Sequence, residues 1–248
     1  MNIDDFVFYP ENFKDRKDIL LQTIEEVRSL WIGNSVNFKG IDSIEKPFKI
    51  LPKPVQKEVS VWIACTGNIE TYKRAGEIGA GILTGLLNLS FDELEEKIAV
   101  YRKAYKENNH KEGGDRVVLM LHTYLDETVE EAQEKARPSM KKYLLKSLEM
   151  NGKEALEQSN DPSLQKITEK SVDEMLDFSV SKYFKEGSLI GNLESSLPIL
   201  NKVVKAGVNE IACLIDFGID KTSVLEGLPY ITKLKDFYVE KNLCQQNI

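Results

Sequence analysis

The sequence predicts an α/β fold, a partial (β/α)8 TIM barrel holding about the last four β/α units, with a helical insertion before the last strand. Three observations predict it. Four short apolar runs lack the polar alternation of a half-solvated strand, which suits a parallel sheet covered on both faces. A stretch of helical spacing follows each run. The chain has 248 residues, close to the roughly 250 of a whole barrel, yet about 80 residues between Asp126 and Lys205 read as insertion plus helix, too many to leave room for eight strands. An open doubly wound sheet ranks second, because no GxGxxG fingerprint follows any strand.

The elements read in order. Ile19 to Trp31 is an amphipathic helix. The first buried strand is Val61 to Cys65, and Asn68 caps the helix Ile69 to Ile78 behind it. The second strand, Gly81 to Thr84, leads to a helix over Ser90 to Asn108, where Ser90 and Glu93 have capping-box spacing. Val117 to Thr123 is the third strand, followed by helical stretches over Val129 to Met150, Val172 to Phe184 and Glu194 to Ala206. Gly207 ends the last of these, just before the fourth strand, Glu210 to Asp216. A final helix covers roughly Ser223 to Glu240.

Composition excludes several classes. A 42% hydrophobic content supplies a sizeable core, while 33 Lys plus Arg against 40 Asp plus Glu leave a net charge of −7. That balance argues against nucleic acid or an anionic membrane as partner. The longest apolar run is short, Val117 to Leu121, and the amino terminus is acidic, so the expectation is a cytoplasmic protein. Cys65, Cys213 and Cys244 make no CxxC pair, and no His, Asp or Glu cluster has metal-ligand spacing. Cys65 and Cys213 read as small buried hydrophobes.

Candidate site residues lie at the carboxyl ends of strands, where barrel sites are built. His122, near the end of the third strand, is either a contact to a ligand or a half-buried histidine bonded to a neighbour. Thr66-Gly67-Asn68-Ile69-Glu70-Thr71 is a strand-turn-helix junction. It is a plain turn, or a cradle in which Gly67 admits close approach, Asn68 caps and the Thr71 hydroxyl donates to an anion. Asp216 closes the fourth strand as a pocket or turn residue. His110 reads as solvent-facing loop, and the acidic segment Asp126 to Glu134 as a solvated face.

Several stretches, in order and at matching spacing, resemble the luciferase-like flavin monooxygenases, in particular the subfamily associated with polyketide and nonribosomal peptide biosynthesis. They are Asp5-Phe6-Val7 with Pro10-Glu11-Asn12-Phe13 and Arg16, Leu30-Trp31-Ile32-Gly33, Leu51 to Gln56, Val61 to Ala64, Gly67 to Thr71 and Ala75 to Ala80. Ile82-Leu83-Thr84, Leu119 to Thr123 and Gly207 to Gly218 complete the set, which runs from Asp5 to Phe237. The resemblance implies one luciferase-like domain over 1–248, with the insertion at about 126–206. Family members are whole barrels with four further strands before the Asp5-Phe6-Val7 segment, so it implies the C-terminal half only, an enzyme incomplete alone.

It also implies reduced FMN supplied by a separate flavin reductase, and oxidation of a small or carrier-protein-bound substrate with oxygen. Arg16 aligns with an arginine that reaches the FMN phosphate in relatives, which places Arg16, Gly67, Asn68 and Thr71 as cofactor-binding residues. His122 is the catalytic candidate. Where the family carries a histidine this chain has Gly85, which puts turnover in doubt. The other reading is a non-catalytic half barrel that binds flavin or a partner subunit. Unpaired sheet edges call for a partner, either a second copy in a homodimer or a separately encoded N-terminal half barrel.

Overall fold

A computed structural model describes residues 3–87, 89–158 and 169–246. The chain divides into two compact units, Met1–Val61 and Trp62–Ile248. In the first, a 3-10 turn at Ile3–Phe6 precedes α1 (Asn12–Trp31). The helix starts seven residues before Ile19, where apolar periodicity only begins. Behind it, β1 (Val36–Lys39) and β2 (Glu45–Phe48) form an antiparallel hairpin. Both strands are almost wholly exposed, so no buried run marks them in the sequence. The Trp31 indole N–H donates to the Gln56 carbonyl at 2.9 Å.

The second unit alternates strand and helix: β3 (Trp62–Ala64), α2 (Ile69–Glu77), β4 (Gly81–Gly85), α3 (Phe91–Glu107), β5 (Val117–Leu125), α4 (Val129–Gln158), α5 (Glu169–Glu186), β6 (Leu189–Gly191), α6 (Leu193–Lys205), β7 (Glu210–Leu214) and α7 (Lys221–Gln246). All sheet pairings here are parallel. β3 pairs β4, and β4 pairs β5. β5 pairs β7 over Val118–His122 and β6 over Thr123–Leu125. This is the expected α/β fold, a parallel sheet with a helix after each strand, with one addition. The span taken as helical insertion contains a fifth strand, β6, whose three residues are too few to register as an apolar run.

Local chemistry sets the helix ends. The Asn68 carboxamide oxygen accepts from the Glu70 N–H at 2.9 Å, Ser90 and Glu93 form a reciprocal capping box, and Gly207 ends α6 at φ +84°.

β5 organises the core through its two faces. Val117, Leu119, Leu121 and Leu125 are fully buried against the helix layer, among them Tyr72 of α2, Leu94, Ile98 and Tyr101 of α3, and Leu200 of α6. Each such side chain contributes about 1.5–3 kcal/mol by leaving water. The Tyr72 and Thr84 hydroxyls bond each other at 2.6 Å, which satisfies two polar groups inside that layer. α2 and α3 approach so closely that a Cβ on Gly76 would strike the backbone at Tyr101 and Tyr105.

The expectation of four fully buried strands is nearest the mark for β5, where only Val118 and Met120 are half-buried; β4 exposes Leu83, and the expectation fails for β3 and β7. Trp62, Ala64, Glu210 and Cys213 are exposed. β3 and β7 each pair with one strand only, so a flank and part of a face stay open. Cys213 is therefore not the buried hydrophobe expected, whereas Cys65 is, and burial pushes its thiol pKa up to about 12.

Candidate functional site

Strand register places side chains of the sheet's second face in rows. Ala64, Leu83 and Val118 form one, Gly85, Met120 and Ala212 the next, and His122 with Leu214 the last, toward the carboxyl ends. The first two rows are half-buried or exposed; His122 is 1% exposed. The helices that follow β5 cover it. Rings of Tyr143 (α4), Tyr183 (α5) and Phe217 (beyond β7) stand edge-on to the imidazole, with centroids at 4.6, 5.5 and 5.2 Å. Nδ1 lies 2.8 Å from the Tyr183 hydroxyl, and Nε2 is buried with no hydrogen-bond partner among the described residues.

Desolvation lowers the His122 pKa to about 4, so the ring is neutral at pH 7. Burial pushes the Tyr183 phenol well above its ordinary value, so it too stays neutral. A buried polar atom without a partner costs about 1–3 kcal/mol, so its presence calls for an explanation such as a functional contact, an ordered water or an ion.

Two residues on, Tyr124 shares the face of His122. Its hydroxyl donates to Asp126 at 3.1 Å, and Lys135 donates to the same carboxylate oxygen at 2.7 Å. Burial raises the Asp126 pKa, but the bonds from Lys135, the Glu127 N–H and Tyr124 together outweigh it and hold the carboxyl below its usual range. Asp126 thus departs from the solvated acidic face expected of this segment; it is an anchor between strand and helix.

At the amino end of α2, Gly67, Asn68 and Thr71 stand together on one turn. Position 67 is open, since a Cβ there would meet no heavy atom within 4 Å. Asn68 spends its carboxamide oxygen on the cap, and the Thr71 N–H bonds the Asn68 carbonyl at 3.1 Å. An open glycine turn, a helix N-terminus and a nearby hydroxyl fit an anionic phosphate; Glu70 in the first turn opposes it. Arg16 lies in the first unit, on α1, where its guanidinium donates to the Phe13 carbonyl and covers the Phe13 ring at 4.1 Å.

Of three further positions, His110 departs from its expectation, Asp216 fits the turn reading and Gly85 is as the sequence has it. His110 is not a solvent-facing loop residue: its Nε2 bonds the Glu77 carbonyl at 2.8 Å and its ring packs on Tyr105 at 5.0 Å. Asp216 lies beyond the end of β7 and is exposed. Gly85 is half-buried, and a Cβ there would touch only Met120, at 3.7 Å. Sequence reasoning missed Tyr143 and Tyr183. Tyr124 was accessible to it, two residues from His122 on an alternating strand.

Tyr183 also lines a cleft of about 910 Å3 between the β4–α3 junction, α5 and the end of α6, with Leu86, Leu89, Phe91 and Phe178 among its apolar walls. That volume suits a small organic ligand. Among the described residues no helix is long and apolar enough to cross a membrane, and no group of three His, Cys, Asp or Glu side chains is placed to hold a metal ion.

The family model for luciferase-like monooxygenases matches residues 4–210. The chain belongs to the luciferase-like monooxygenase family. Solved structures of similar fold include the monooxygenase RslO1 from Streptomyces bottropensis, at 16% identity and a TM-score of 0.64, covering 94% of this chain and 66% of that one. Another is the type II Baeyer-Villiger monooxygenase that is the oxygenating constituent of 3,6-diketocamphane monooxygenase from the CAM plasmid of Pseudomonas putida, in complex with FMN. It shows 17% identity and a TM-score of 0.59, over 88% of this chain and 62% of that one. Riboflavin lyase RcaE, with modified FMN and riboflavin, has 15% identity and a TM-score of 0.60, over 89% and 57%. This family member thus spans less than two thirds of each neighbour's length. No curated protein matches it.

Proposed function

We propose that this chain is the C-terminal half of an FMN-dependent luciferase-like monooxygenase of the subfamily associated with polyketide and nonribosomal peptide biosynthesis. It would act in the cytoplasm as one domain on a small or carrier-protein-bound substrate. The observation that carries the reading is the family match across 4–210. The open turn at Gly67 and the buried, unpartnered His122 nitrogen on the sheet's second face support it. Reduced FMN, supplied by a separate reductase, brings the oxygen activation when bound. Gly67, Asn68, Thr71 and Arg16 would hold its phosphate through N–H, hydroxyl and guanidinium donors. His122, neutral at pH 7, would present a hydrogen bond to the reacting ligand, and the aromatic rings around it would exclude water.

A second reading, a half barrel that binds flavin or a partner subunit without turnover, is favoured by Gly85, which brings no imidazole to the second face. Exposed Trp62 and Leu83, at 42% and 37%, favour a covering partner, either a second copy or a separately encoded N-terminal half.

Titration with oxidised and reduced FMN, followed by flavin fluorescence, tests the reading. Saturable binding weakened by Arg16→Ala and Thr71→Ala is expected. Gly67→Ala should weaken binding yet leave the unfolding midpoint unchanged, because position 67 has open space around it. Absence of saturable FMN binding would overturn the cofactor assignment, and binding without turnover in the presence of a flavin reductase would favour the second reading.

A further inference from the structure

We propose that Tyr183 is a positioning residue for His122: its phenol donates to Nδ1 and fixes the ring with its proton on Nε2, aimed as a donor at an oxygen of the bound ligand. The inference rests on the reading of His122 as a site residue and adds a helix partner to it. Oη and Nδ1 are 2.8 Å apart, and that contact joins α5 to β5 across 61 residues of sequence.

Proton bookkeeping decides the direction. If the Nδ1 proton were donated to Tyr183, the phenolic hydrogen would need a second acceptor, and Nε2 would still lack a partner. With the phenol as donor, one hydrogen serves the contact and a single group, the Nε2 N–H, stays unmatched. A buried donor is the costlier kind to leave unmet, so a ligand oxygen that accepts from it recovers the full penalty. A carbonyl or anionic oxygen has the required lone pair; an ammonium or alkyl group does not.

Packing fixes the plane of the ring: Tyr143, Tyr183 and Phe217 each stand edge-on to it, between 74° and 84°, and within that plane the Tyr183 hydroxyl sets which nitrogen faces it. Tyr183 also lines the cleft of about 910 Å3, and among the described residues it is the side chain shared by that cleft and the three rings around the histidine. A ligand that shifts Tyr183 from the cleft side would thereby release Nδ1.

The chain has two histidines, so the imidazole 15N resonances are few and the His122→Gln variant assigns them. In the wild type at pH 7, His122 is expected to show a protonated Nε2 and an unprotonated Nδ1. Tyr183→Phe keeps the ring and removes the donor, and the ratio of the two tautomers should fall about tenfold, the factor that one hydrogen bond of ordinary net strength supplies. A wild-type spectrum with Nδ1 protonated overturns the proposal without recourse to any variant. So does an unchanged ratio in folded Tyr183→Phe. An FMN titration of the same samples separates this from the functional reading: a tautomer shift without FMN binding leaves Tyr183 in place and removes the flavin assignment, and FMN binding with an unchanged tautomer does the reverse.

Discussion

Acid should destabilise this protein through His122 before its carboxylates titrate. The imidazole pKa is about 4 in the folded chain and about 6.5 in the unfolded one. The unfolded state therefore binds the extra proton between those values, so stability is full above pH 6.5 and is lost as pH falls toward 4. A gap of about 2.5 units at 1.36 kcal/mol each gives a total loss of about 3 kcal/mol, of which about 2 has gone by pH 5. The assay is urea unfolding at intervals from pH 7.5 to 4.5, for the wild type and His122→Phe, which keeps a ring in the aromatic cage and removes the titration. The carboxylates held low, such as Asp126 and Asp220, are common to both proteins and cancel in the difference. Between pH 6 and 4.5 the wild-type stability should fall by about 1.4 kcal/mol per pH unit more steeply than that of the variant. Parallel pH profiles would refute the reasoning, and with it the claim that the cage keeps water from the ring.

Thr84→Val removes the partner of the fully buried Tyr72 hydroxyl and should cost about 1–3 kcal/mol in denaturant unfolding. Ser90→Ala deletes one half of the α3 capping box and should lower stability by about 1 kcal/mol. Gly76→Ala drives a methyl group into the α3 backbone, and because backbone cannot rotate away as a side chain does, the cost should reach at least the upper part of the roughly 1–3 kcal/mol range for overpacking. A thermal midpoint unchanged by that substitution would show that α2 and α3 can separate.

Most of the architecture was legible because a parallel sheet writes itself into the chain as apolar runs. Val117 to Thr123 and Gly81 to Thr84 read as strands for that reason, and the cap residues Asn68, Ser90 and Gly207 read as boundaries because each has one chemical task. What escaped lacked such a signal. β6 has three residues, and the hairpin of β1 and β2 is exposed, with Lys46 pairing to Asp42 at 2.8 Å where an apolar pattern would otherwise be. Cys213 was misjudged for a related reason: an apolar run shows that a strand forms, but whether its faces are covered depends on which neighbours flank it, and β7 pairs only with β5.

The candidate site divides along the same line. Position along β5 told that His122 lies near a carboxyl end, and alternation could have told that Tyr124 shares its face; both facts are local. Whether His122 bonds a neighbour or contacts a ligand was left open by the sequence, and the structure shows the neighbour. Nδ1 has the Tyr183 hydroxyl, and Nε2 has no partner among the described residues, although the ring is 1% exposed. Phenylalanine among the three aromatic rings would bring no unmatched ring nitrogen into the interior but would strand the Tyr183 hydroxyl, so packing and that one bond account for Nδ1 and leave Nε2 without a structural task. The presence of His122 with one nitrogen bonded and the other unmet argues that the unmet nitrogen has a partner when the site is in use.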